Sequence, residues 1–129
     1  MASQEPPGGY TGAETTGFVS PAGDHLEEAI DLVAVLELRR PHRYPLRYGG
    51  EPLPAFGILP EDILIADTAR LPISGSLAVI VRHGEVLIAA IELRSNQWWL
   101  LSGRPGRAPQ QVTDDTELWG ILVNLIRKL

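Results

Sequence analysis

The stretch that decides the fold is Leu77-Ala-Val-Ile-Val81, Arg82-His83-Gly84-Glu85, Val86-Leu-Ile-Ala-Ala-Ile-Glu-Leu93. Two runs rich in valine and isoleucine meet across His83-Gly84, where glycine supplies the positive φ of a tight turn, so the sequence predicts a β-hairpin. Working outward, Trp98–Leu101 reads as a further strand, and Gly103-Arg104-Pro105-Gly106-Arg107-Ala108-Pro109 reads as a loop. Leu118–Ile126 lacks polar alternation and is expected to be a central buried strand. Upstream, Ile63–Asp67 is a compact apolar strand, and Tyr44–Tyr48 is a short one placed at a sheet edge by Pro45. Asp24 with Glu27 has the spacing of a capping box, and Leu26, Ala29, Ile30 and Val33 recur at helical spacing. Asp31 can cap a second short helical piece through Leu36, with Pro41 as the stop. The fold class is mostly β with a short helical N-terminal element.

Residues 1–17 hold four glycines, two prolines and one aromatic. They cannot bury enough apolar surface to offset their ordering entropy, and are expected to form a flexible arm before a single domain over 18–129. In a chain of 129 residues that domain can build a real core. The chain has no cysteine, which removes disulfides, thiolate metal sites and a cysteine nucleophile. It has neither a secretory-signal layout nor a run long enough to span a membrane, so a cytoplasmic location and no membrane partner are expected. A net charge of −5 argues against a general nucleic-acid coat.

The side chains offer little for catalysis. His25 at a helix start, His42 in the Arg-Pro-His-Arg junction and His83 at the hairpin tip all read as solvent-facing. The adjacent pairs Glu27-Glu28, Glu61-Asp62 and Asp114-Asp115 are poor candidates for a shared acid–base site, because neighbours on a strand diverge. No spacing suggests a metal, Gly49-Gly50 lacks the lysine of a phosphate loop, and no cofactor is expected. The basic residues are ten arginines and Lys128, and a lysine next to the carboxyl terminus is badly placed to be a buried base. Ser74 and Ser102 have hydroxyls but no evident base. Arg39, Arg40, Arg43 and Arg47, with His42, form either a solvated helix exit and edge strand or a docking patch for an acidic partner or phosphates. Trp98 and Trp99 must diverge on a strand, so one faces the core and the other is open to an interface.

Gly17-Phe18-Val19-Ser20-Pro21-Ala22-Gly23-Asp24 resembles the stretch that follows the self-cleavage site in the UmuD family of SOS mutagenesis proteins, relatives of LexA. The likeness continues in order through Asp31-Leu32, Gly57-Ile58, Asp62–Asp67, Gly75, Gly84-Glu85, Asp115-Thr116 and Leu118-Trp119-Gly120. The resemblance implies the LexA/UmuD C-terminal-domain-like β fold and a homodimer, or a heterodimer with a UmuD paralogue. It also implies binding to a Y-family polymerase of the UmuC kind and to the RecA filament; sequence-specific DNA reading is not expected, because the arm is too short and too glycine-rich to form a helix-turn-helix. That family uses a serine nucleophile and a lysine base. Here Gly49-Gly50-Glu51-Pro52-Leu53 puts Pro52 at the serine position, and Val86–Ala90 puts Ala89 at the lysine position. The cleavage dipeptide falls at Thr16-Gly17. The expectation is a non-catalytic member that assists a translesion polymerase. The alternatives are an inactive paralogue that pairs with an active relative and regulates it or is cut by it in trans, and a hydrolase using another serine.

Overall fold

The structure, a computed structural model, describes residues 29–129. The expected arm, the Asp24–Glu27 capping box, His25 and Thr16-Gly17 lie outside the described residues. The chain divides into two compact units at Arg39/Arg40.

The described part of the first unit holds one short helix, α1 (Leu32–Val35). Asp31 caps it as its sequence position predicts, its carboxylate accepting from Val33 N at 3.1 Å and Ala34 N at 3.3 Å. The helix ends before Pro41 can act. Leu38 N donates to Val33 O and Glu37 N to Ala34 O, with Glu37 at φ 53. These paired bonds form a Schellman turn, which satisfies the last carbonyls without a proline.

The second unit is a seven-stranded sheet: β1 (Arg43–Arg47), β2 (Ile63–Asp67), β3 (Leu77–Arg82), β4 (Glu85–Arg94), β5 (Gln97–Ser102), β6 (Gln110–Gln111) and β7 (Thr116–Ile126). The spatial order is β1-β2-β7-β3-β4-β5-β6, with every neighbouring pair antiparallel. The β3–β4 hairpin turns at His83 and Gly84, both with positive φ, and sets Val81 opposite Val86. A second two-residue turn, Ser95-Asn96, joins β4 to β5. Asparagine tolerates the left-handed region, so this turn forms without the glycine that marks the first. β1 is an edge strand, as Pro45 suggests. The bonds from Thr68 N to His42 O and Tyr48 N to Asp62 O set the ladder parity, which turns the Pro45 nitrogen outward where no donor is needed.

β7 is interior, as expected, paired with β2 on one side and β3 on the other, but the expectation that it is buried needs correction. It lies third from the β1 edge, and only Gly120 and Ile121 are buried along it. Two register shifts, opposite Ile65/Ala66 and opposite Val79/Ile80, leave Val123 and Trp119 as extra residues on β7. Such bulges rotate the strand, so its apolar run is not held on one face. Trp119 is carried to Tyr44 of β1, with ring centroids 5.5 Å apart.

β4 is apolar on both faces because each meets a separate cluster. Ala89 and Ile91 join Ala78, Ile80, Leu100 and Ile121, whereas Ile88 packs against Leu53, Ile58 and Leu64. The second cluster is completed by the segment after β1, where Leu53 and Ile58 bridge around a 3-10 turn at Pro54–Phe56. That turn leans on Gly103: a Cβ there would lie 2.7 Å from the Phe56 ring and 2.9 Å from Leu53 Cβ.

Candidate functional site

The segment after β1, the middle of β4 and the end of β5 enclose a cleft of about 720 Å³. Gly49, Gly50 and Leu53 form one wall, and Ala89 and Ser102 form another. Ala89 is 2% exposed and pairs with Ala78 on one side and Ser102 on the other. Pro52 is exposed, between lining residues Gly50 and Leu53. The two positions singled out in the sequence, 52 and 89, therefore belong to segments flanking one cavity.

The chemistry nearest Ala89 is a hydroxyl already in use: Ser102 Oγ accepts from Arg104 N at 3.0 Å. Ser74 Oγ likewise accepts from Leu93 N. A serine nucleophile needs a base to take its proton, and these contacts supply none. Tyr48 OH donates to Glu51 O at 2.6 Å, and a Cβ at Gly50 would lie 2.6 Å from the Tyr48 hydroxyl oxygen, so a side chain there would displace the phenol. Burial pushes the Tyr48 phenol up, partly countered by Arg104 and reinforced by Glu51, so it remains a protonated donor. Across the mouth, Arg104 Nη1 meets Glu51 Oε1 at 3.4 Å.

The strongly held charges lie elsewhere. Asp67, at the end of β2, is buried with Arg43: Arg43 Nε donates to Oδ2 at 2.9 Å and Ala69 N to Oδ1 at 2.8 Å. The Arg43 hydrogen bond holds the Asp67 carboxyl below its ordinary range despite burial. Just before β2, Asp62 receives Arg127 Nε at 2.8 Å, Arg127 Nη2 at 2.7 Å and Leu59 N at 2.8 Å. The forked contact from Arg127 brings the Asp62 carboxyl down to about 2, against a desolvation cost in the other direction. Arg127 Nη2 also reaches Gly57 O, tying the end of β7 to the loop before β2.

Of the sequence candidates, Arg39 lies in the first unit and Arg43 is engaged with Asp67 inside the sheet. Arg47 is exposed, 3.2 Å from Glu61, and lines the cleft. Arg40 and His42 line a smaller pocket of about 330 Å³ with Asp67 and Arg70. Trp98 packs against the first core cluster, while Trp99 on the opposite face lies under Arg94, 5.8 Å from its ring. His83 meets Asp115 at 3.1 Å beside the first hairpin turn. The cleft arginines Arg82, Arg104 and Arg107 and the partners of Asp62 and Asp67 were not legible beforehand, although an acid closing the apolar run Ile63–Asp67 signals a buried partner. Among the described residues, no group of three His, Asp or Glu side chains could hold a metal ion, and no helix could cross a membrane.

No protein-family model matches the chain. It is 27% identical to Protein SamA of Salmonella typhimurium over 112 residues, which cover 87% of this chain and 79% of SamA. It is 33% identical to Protein ImpA of Salmonella typhimurium over 101 residues, 78% of this chain, and the same figures hold for ImpA of Escherichia coli. The matched region spans 63% of ImpA, under two-thirds of its length. With its mostly-β sheet, the chain is a distant homologue of SamA and ImpA over most of its own length.

Proposed function

We propose that this protein is a non-catalytic, UmuD-like accessory factor of SOS mutagenesis, which dimerises and binds a Y-family polymerase of the UmuC type. The similarity to SamA and ImpA supports the SOS mutagenesis role. The observation that carries the loss of catalysis is the character of the cleft. Where the family resemblance calls for a hydroxyl and an amine, this chain has Pro52 and the buried methyl of Ala89. Acyl transfer to a serine needs both a nucleophilic oxygen and a group to accept its proton. Pro52 and Ala89 provide neither, and Ser102 Oγ accepts from the Arg104 amide. What such a cleft retains is shape and charge, which suit binding.

The test is incubation of the purified full chain with RecA filament on single-stranded DNA, and separately at alkaline pH, followed by intact-mass measurement. The expected result is an unchanged mass, and a product beginning at Gly17 overturns the loss of catalysis. Co-purification with a UmuC-type polymerase and light scattering test the remainder: binding and a mass twice 14.1 kDa are expected. A monomer that does not retain the polymerase overturns the accessory role.

A further inference from the structure

Four arginines line the cleft, Arg47, Arg82, Arg104 and Arg107, against one lining carboxylate, Glu85. In a chain of net charge −5 this is a marked local reversal of sign. Beneath them the floor still open to an incoming chain is apolar, with Leu46, Val86 and Ile88 accessible. One wall is an incompletely paired strand, since β6 runs along β5 only at Trp99 and Leu100 and stops short of Leu101 and Ser102. The nearest anion to Arg104 is the chain's own Glu51, held at 3.4 Å with both side chains accessible to water. Such a half-exposed pair exchanges partners at little cost.

From this geometry we infer that the cleft is a docking site for an extended segment of a partner protein in which acidic and apolar residues alternate, and that a partner carboxylate takes the place of Glu51 on Arg104. In an extended chain successive side chains point to opposite sides, so alternate apolar residues meet the floor while the acids between them meet the arginines. A nucleic acid would satisfy the arginines but leave the apolar floor without a match. Glu51 then acts as an internal competitor, occupying Arg104 until the segment arrives. The inference deepens the accessory reading by naming what the cleft holds.

The test is fluorescence anisotropy of the full chain with labelled acetyl-Leu-Asp-Leu-Glu-Val-amide, its Asn/Gln counterpart and a ten-nucleotide oligothymidine. Saturable binding of the acidic peptide is expected, with the neutral peptide about tenfold weaker, as for loss of charge complementarity. Arg104→Gln should weaken the acidic peptide about fivefold or more, whereas Glu51→Gln should strengthen it severalfold. The opposite signs separate competition from misfolding, which would weaken both. Equal binding of the two peptides, failure of the acidic one to saturate, preference for oligothymidine, or weakening by Glu51→Gln overturns the inference. A polymerase that fails to co-purify while the peptide binds removes the named partner and leaves the cleft assignment standing. The converse removes the cleft assignment alone.

Discussion

The two ends of β2 and the β4–β5 cleft use the same side chains in opposite ways. At β2, Asp62 and Asp67 are buried, each gripped by an arginine and a backbone amide. At the cleft, arginines stand at a water-accessible rim, where Arg47 and Arg104 meet exposed glutamates. Buried pairs are costly to break because the surviving charge is left without solvent, whereas exposed pairs contribute little. The difference assigns the β2 charges to holding the sheet and leaves the cleft charges available to an incoming group.

The largest effect should follow from breaking the better buried pair. Arg43→Ala removes the guanidinium that donates to the buried Asp67, and a loss of about 3–5 kcal/mol in urea unfolding is expected. A loss below about 1 kcal/mol would place Arg43 among ordinary surface arginines and dissolve the contrast.

Acid should act at the other end of β2. The Asp62 carboxyl sits at about 2 in the folded protein against an ordinary 3.8, because Arg127 stabilises its charged form. Between those values the unfolded chain binds the proton more readily, so stability is full above the upper value and declines as pH falls towards the lower. Arg127→Gln removes the fork and leaves burial to oppose ionisation. Its urea midpoint should therefore begin to fall at a higher pH than that of the wild type. Superimposable pH profiles would mean that the fork does not hold the charge.

How much of this was legible beforehand follows from the reach of each interaction. The first hairpin, the Asp31 cap and the Pro45 edge are local, set by residues a few positions apart, and the sequence carries them. Asp62 with Arg127 and Asp67 with Arg43 are 65 and 24 residues apart, so only the strand order brings them together. The bulges at Trp119 and Val123 likewise depend on strands paired from elsewhere in the chain. For the cleft, the family resemblance picked out positions 52 and 89, yet the arginine rim comes from three separate segments and has no sequence signature.

The cleft wall should respond to steric change more than to charge. Gly103→Ala introduces a methyl 2.7 Å from the Phe56 ring, where the 3-10 turn is bridged through Leu53 and Ile58. A destabilisation of about 1–3 kcal/mol is expected from overpacking, together with altered peptide binding because Leu53 lines the cleft. A neutral result would show that the loop after β1 is free to move away from β5.

Glu51→Gln should have the smallest effect on stability, within about 0.5 kcal/mol of the wild type, since the carboxylate removed is exposed and its partner remains hydrated. That near-neutrality gives the comparison its force. Arg43 and Arg104 each meet a carboxylate, but burial makes the first contact structural, while exposure leaves the second exchangeable. A large loss of stability on Glu51→Gln would mean that the Glu51–Arg104 contact fastens the loop after β1 to the end of β5. The cleft would then be closed by its own residues, and its arginines would belong with those of β2.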